Sequence, residues 1–149
     1  MNVGDVCNRI VITVQTTDTV RHAAELMRKY HVGNLVVTDR QDGRMAPIGV
    51  VTDRDIVVEA VAKKSDPDHI TVGNIMTGHP LVAHELDSVV STLDAMSEVG
   101  VRRVPVMNDA DALVGVLALD DLFQLLASQI HNMAAIVGTQ RLNESKTRL

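Results

Sequence analysis

Apolar and polar positions follow two rhythms along this chain, and the same succession of rhythms occurs twice. A short β-rich run, Ile10 to Val14, comes first. Val20, Ala23, Ala24 and Met27 then fall at i, i+3, i+4 and i+7, the period of an amphipathic helix, with Asp18 and Thr19 ahead of them as N-cap candidates. Leu35 to Thr38 and Ile48 to Thr52 read as two strands around a polar turn, followed by a helix over roughly Asp53 to Lys63. Further on, Leu81 to His84 reads as a strand and Asp87/Ser88 as a helix start. Val104 to Met107 with Leu113 to Leu117 form the next strand pair, and a helix over Asp120 to Val137 closes the unit. The order is βαββα, twice, which predicts an α+β fold.

The two units align residue by residue. Asp18-Thr19-Val20 matches Asp87-Ser88-Val89 at a shift of 69, and the same shift brings Met27 onto Met96, Val32 onto Val101 and Val37 onto Val106. Beyond the polar turn the shift is 66: Gly49-Val50-Val51 meets Gly115-Val116-Leu117, and Asp55 meets Asp121. Three extra residues therefore lie within Arg40 to Ala46 of the first unit, a segment that reads as a hairpin loop. Lys63 to His69 is a polar breaker and the natural linker. The chain divides into repeat one at 1–66, repeat two at 67–138 and a polar tail at 139–149 expected to fray from Arg141.

Composition narrows the function. With 46% hydrophobic residues in 149, the chain can build a full core. A formal charge of −5 argues against nucleic-acid binding, and Tyr30 and Phe123 are the only aromatic residues, too few for a base-stacking platform. The longest apolar runs, such as Val114 to Leu119, fall far short of the roughly 20 residues of a membrane helix. The start of the chain, Met1 to Asp5, does not read as a signal peptide. The single cysteine, Cys7, fits a reducing compartment, and a cytoplasmic protein is expected. No Gly-rich phosphate loop or Cys/His metal spacing is present, and the six histidines are scattered, so catalysis is not expected. Phe123, Leu126, Ile130, Met133 and Val137 form a stripe in the last helix that would serve either the core or a seam against another subunit.

Gly49-Val50-Val51-Thr52-Asp53-Arg54-Asp55 sits at the junction of the third strand and second helix of repeat one, and Val104-Pro105-Val106 follows Arg102-Arg103 in repeat two. Within two βαββα units, these segments resemble the CBS (cystathionine-β-synthase) domain pair, over about Val3 to Val137. The resemblance implies two repeats packed sheet-to-sheet as a pseudo-two-fold pair with two equivalent clefts between them. It implies a homodimer in the form of a flat disc. It also implies an adenosine-containing regulatory ligand: AMP, ADP or ATP, less often S-adenosylmethionine or NAD(H). No cofactor is required, and control of an unidentified protein target in trans is expected.

By the same resemblance, the first cleft takes Thr52, Arg54 and Asp55 from repeat one and Met76, Leu81, Val101, Arg102 and Arg103 from repeat two. An ionised Asp55 suits the ribose hydroxyls, because it only accepts hydrogen bonds. Thr52 and the free amides that open its helix suit a phosphate, and guanidinium groups pair with phosphate bidentately. Met76, Leu81 and Val101 would line the adenine. A bland alternative stands beside this: Thr-x-x-Asp ahead of a helix is a capping box with or without a ligand, and adjacent arginines can be a solvated turn. A CBS-fold scaffold for protein interaction that no longer binds nucleotide is the corresponding alternative function.

The second cleft departs from the pattern. Ala118 stands where Thr52 does, although Asp121 remains; Gly33-Asn34 stand where Arg102-Arg103 do, and Val36 replaces Pro105. One competent site per chain is expected, the other being empty, weak or suited to a neutral ligand. Cys7 would lie on the segment lining this second cleft, as a small buried residue.

Overall fold

The computed structural model describes residues 1–41 and 43–147. Repeat one contains β1 (Thr13–Val14), α2 (Val20–Tyr30), β2 (Asn34–Gln41), β3 (Arg44–Thr52) and α3 (Asp53–Asp55), which continues as a π-helical segment, Ile56–Val61. Repeat two contains β5 (Ala83–His84), α5 (Val89–Val99), β6 (Arg103–Met107), β7 (Leu113–Ala118) and α6 (Leu119–Thr147). Two short helices, α1 (Val3–Val6) and α4 (Val72–Ile75), precede the repeats, and β4 (Thr77–Gly78) follows α4.

Local chemistry sets the matching helices. Thr19 caps α2, its hydroxyl accepting from the His22 amide, and Ser88 caps α5, accepting from Val90. Both helices end in a left-handed residue, His31 in one and Gly100 in the other, whose amide closes on Met27 or Met96. Ahead of each cap, the Asp18 and Asp87 carboxylates accept from the Gln15 and His84 amides. In each repeat the first strand runs parallel to the second, and the second antiparallel to the third.

The period of two along β2 and β6 divides their side chains between two tasks. Leu35 and Val37 face one repeat's helices, and Val104 and Val106 face the other's. Val36 and Pro105 are buried but belong to neither helical core; they point from the opposite faces, where the sheets meet with β3 against β7. The result is an α+β pair of βαββα units packed sheet-to-sheet about a pseudo-two-fold axis.

The short helices are exchanged between the repeats. Val3 of α1 belongs to the core of repeat two, while Val72 and Ile75 of α4 belong to the core of repeat one. Backbone bonds fasten each in place: the Val3 and Gly4 amides donate to Asp87 and Glu85, and the Val72 and Gly73 amides to Asp18 and Thr16. After α4, β4 pairs with β3; after α1, Asn8 pairs with Val116 of β7. Linker and N-terminal segments thus cross over, so each repeat's core includes a segment that the other repeat's stretch of chain supplies.

Three local differences from the sequence reading have physical causes. The last helix extends past Val137: α6 runs to Thr147 through the polar tail, and no proline or glycine follows Gly138 to stop it. Residues 148–149 lie outside the described residues. The three extra residues of repeat one lengthen the β2–β3 ladder, which pairs through Gln41 and Arg44, and do not form a looser loop; Asp42 of that segment lies outside the described residues. The second helix of repeat one is mostly π-helical, which leaves Val57, Val58 and Val61 on the exterior while Ala60 is buried.

Candidate functional site

The junction of β3 and α3 is held by reciprocal capping. The Asp55 amide donates to Thr52 Oγ1 at 3.1 Å, and the Thr52 amide donates to Asp55 Oδ2 at 2.8 Å. The next donors are also engaged: the Asp53 amide donates to the Gly33 carbonyl at 3.0 Å and the Arg54 amide to Asp53 Oδ1 at 2.8 Å. The expectation of free amides for a phosphate is therefore corrected, since the first three amides of the helix are already bonded inside the protein. What remains is the Thr52 hydroxyl proton, which is free to donate because its oxygen is used only as an acceptor.

Around this junction, a cavity of about 490 Å³ opens between the repeats. Thr52, Asp53 and Arg54 enter from repeat one, and Leu81, Val101, Arg102 and Arg103 from repeat two, with Val50 on the floor. The volume lies within the ~300–1,000 Å³ typical of small-molecule sites. Of the nine predicted residues, Thr52, Arg54, Leu81, Val101, Arg102 and Arg103 line this cleft together. Asp55 follows these residues in the chain but does not line the cavity, with Oδ2 in the capping box and Oδ1 without a partner among the described residues. Met76 does not line the cavity. Its sulfur lies over Gly49, where a Cβ would meet it at 2.7 Å, and it packs against the core of repeat one.

Asp121, the ninth, lines the second cleft, a smaller cavity of about 230 Å³ that also includes Asn8, Ile10, Ala118 and Asp120. Ala118 offers no hydroxyl there. Cys7 is packed against Gly115 and the core of repeat two, one residue short of this lining; burial raises its thiol pKa. Gly33, Asn34 and Arg103 line both cavities and form the wall between them.

The sequence marks Asp120 as the residue that takes over from Ala118 as helix cap and puts negative charge near the second cleft's phosphate position, but it does not show its partners. Asp120 Oδ1 accepts from Arg102 Nη2 at 2.7 Å and its Oδ2 from Arg103 Nη2 at 3.2 Å, so one carboxylate bridges both arginines of the first cleft. Asp120 lies at the position that Arg54 holds in repeat one, with the opposite charge.

Two interlocked βαββα units with a ligand-sized cleft at their junction define a paired-repeat domain. The CBS domain family matches residues 3–61 and 72–128, and this chain belongs to that family. An uncharacterized protein of Methanopyrus kandleri is 31% identical over 125 residues, 84% of this chain, and the chain spans 62% of that relative's length. Among solved structures, a CBS domain protein from Pyrobaculum aerophilum complexed with AMP is 31% identical with a TM-score of 0.73, covering 82% of this chain and 90% of that one. The CBS domain pair of protein MJ0100, in complex with 5′-methylthioadenosine and S-adenosyl-L-methionine, is 26% identical with a TM-score of 0.73, covering 87% of this chain and 98% of that one. Among the described residues, no helix is long and apolar enough to cross a membrane, and no three His, Cys, Asp or Glu side chains are grouped to hold a metal.

Proposed function

We propose that this chain is a cytoplasmic regulatory module that binds an adenine nucleotide of the AMP, ADP or ATP class in its first cleft and controls a protein partner in trans, without catalysing a reaction. The observation that carries this reading is the convergence of Thr52, Arg54, Arg102 and Arg103 beside Val50, Leu81 and Val101 in one cavity between the repeats. The apolar side suits a purine. The Thr52 hydroxyl and three guanidinium groups suit a 5′-phosphate, and Asp55 Oδ1 suits a ribose hydroxyl. Binding of AMP by the Pyrobaculum protein and of adenosyl compounds by the MJ0100 pair supports the same ligand class. Because the ligand touches both repeats, it favours one relative placement of them, which a partner can read.

A second copy of the chain is part of this proposal. Both closing helices carry exposed apolar residues, Val57, Val58 and Val61 in one and Phe123, Leu126 and Ile130 in the other, with Val57 and Phe123 at equivalent positions. A patch that a monomer would leave in water fits a homodimer that buries it.

The test is thermal unfolding with AMP, ADP, ATP, NADH, S-adenosylmethionine and adenosine, each against the ligand-free baseline, for the native protein and for Asp55→Ala. Ligand at 100 times its dissociation constant adds about 2.7 kcal/mol, a visible rise in midpoint. A rise with one adenylate that Asp55→Ala abolishes supports the reading. No rise with any of the six transfers the function to a scaffold whose Thr52 and Asp55 only cap a helix.

A further inference from the structure

The two arginines that face the first cleft are not free. Arg102 Nη2 and Arg103 Nη2 donate to the two oxygens of one carboxylate, Asp120, at 2.7 and 3.2 Å. This is the arrangement that two oxygens of a phosphate would adopt with the same donors. A phosphate that takes the same N–H groups must displace Asp120.

We infer that Asp120 is an internal competitor for the ligand's phosphate, and that its displacement releases the start of α6. The inference rests on the first cleft being the phosphate site. Asp120 lies in the first turn of α6, whereas Arg103 opens β6 and Arg102 immediately precedes it, so the bridge ties the last helix to the cleft. A second tie, the Leu119 amide to the Arg102 carbonyl at 2.9 Å, is backbone and survives the exchange. Loss of the carboxylate bridge therefore loosens the first turn of α6 without detaching it. A nucleoside without a phosphate leaves the bridge intact, so Asp120 makes the phosphate, and not the adenosine, the group that signals. Repeat one cannot work this way. At the equivalent places it has Gly33, Asn34 and Arg54, with neither the paired guanidinium groups nor the carboxylate.

Calorimetric titration with AMP and with adenosine tests this on the native protein, on Asp120→Asn, and on each in an Arg102→Ala/Arg103→Ala background. The amide in Asp120→Asn keeps the side-chain shape but removes the competing charge. Exposed ion pairs of this kind are worth ~0.2–1 kcal/mol, so AMP is expected to bind Asp120→Asn up to about fivefold more tightly, with adenosine affinity unchanged. In the double-alanine background the same substitution is expected to change neither ligand. Hydrogen exchange adds a second readout: AMP speeds the amides of residues 120–126 in the native protein, adenosine does not, and Asp120→Asn shows the faster exchange without ligand. Equal or weaker AMP binding by Asp120→Asn overturns the inference while leaving the nucleotide site standing. Failure of AMP to bind any of the four proteins removes the site and the inference together.

Discussion

Arg54 and Asp120 occupy equivalent positions in the two repeats, 66 residues apart, and their opposite charges divide the two clefts between them. Arg54 joins Arg102 and Arg103 in the lining of the first cavity, whereas Asp120 joins Asp121 in the lining of the second. Phosphate affinity is accordingly expected from the first cleft alone. A hydrogen bond to a charged group contributes about 1.5–3 kcal/mol, so Arg103→Ala should weaken AMP binding roughly 10- to 100-fold and adenosine binding less than twofold. Arg102→Ala should cost less, because its side chain is 66% exposed against 37% for Arg103. Titration calorimetry on the two variants decides this, and equal losses for AMP and adenosine would remove the arginines from the phosphate site.

Gly49 and Gly115 are where the exchanged segments press on the sheets. A Cβ at Gly49 would lie 2.7 Å from Met76 Sδ and 2.9 Å from the Thr77 carbonyl oxygen; at Gly115 it would lie 2.7 Å from Cys7 Sγ and 2.9 Å from the Asn8 carbonyl oxygen. The sulfur can move, but the backbone oxygen is fixed by strand pairing. Either glycine to alanine should therefore destabilise the fold by about 1–3 kcal/mol, as overpacking does. Adding Met76→Ala to Gly49→Ala should recover only part of the loss. Chemical unfolding of the three variants measures this, and full recovery would show that only the methionine resists.

The repeats were legible because their signals are local. The helical period from Val20 to Met27, the caps at Thr19 and Ser88 and the Gly49 and Gly115 junctions each lie within a few residues. Six of the nine residues that the family resemblance assigns to a site line one cavity together. What stayed hidden depends on distant partners. Four-residue helices such as α1 and α4 are too short to show a period, so their exchange left no trace in the pattern. The Gly33 carbonyl that consumes the Asp53 amide, and the arginines that hold Asp120, reach their partners only through the fold. The family resemblance assigns Met76 to the adenine wall, yet it does not line the first cavity, and its sulfur lies over the bare surface of Gly49.

Cys7 carries a pH signature. Burial is the largest influence on its thiol and raises its pKa above the ordinary 9.0, with Arg9 opposing and Glu85 assisting. Below pH 9.0 both the folded and the unfolded chain keep the proton, and the stabilising contribution is fully present. As pH rises the unfolded chain ionises first, so this contribution is lost progressively up to the folded pKa. The urea midpoint of the native protein should thus fall more between pH 8 and pH 10 than that of Cys7→Ala, and iodoacetamide should label the folded thiol slowly at pH 8. Parallel pH curves for the two proteins would count against a part-buried thiol that resists ionisation.

The stripe on α6 separates two assignments that its spacing allowed. Leu122 is buried, but Phe123, Leu126, Ile130, Met133 and Val137 are each more than half exposed in the single chain, so the stripe does not serve the core. Beyond residue 128 the helix also leaves the segment matched to the family. Ile130→Glu, 67% exposed, should leave the folded monomer's stability nearly unchanged and shift a dimer toward monomer in analytical ultracentrifugation. An unchanged sedimentation profile would place the subunit contact elsewhere.

Ala118 offers the reverse experiment, because it asks what one hydroxyl contributes. It occupies the place of Thr52, on β7 immediately before α6, and it lines the second cleft with Asp121 three residues on. Ala118→Thr would recreate the Thr-x-x-Asp pair that in repeat one joins Thr52 and Asp55 through two hydrogen bonds. A new N-cap of this kind stabilises by about 1 kcal/mol, and the position is only 8% exposed, so the added methyl must fit against the cavity rather than the core. The expected outcome is a modest rise in unfolding midpoint with no gain in AMP stoichiometry, since Gly33 and Asn34 offer no cation, Arg103 is already paired with Asp120, and Asp120 and Asp121 still oppose a phosphate. A second AMP bound per chain in Ala118→Thr would mean that the hydroxyl, and not the charge, is what distinguishes the two clefts.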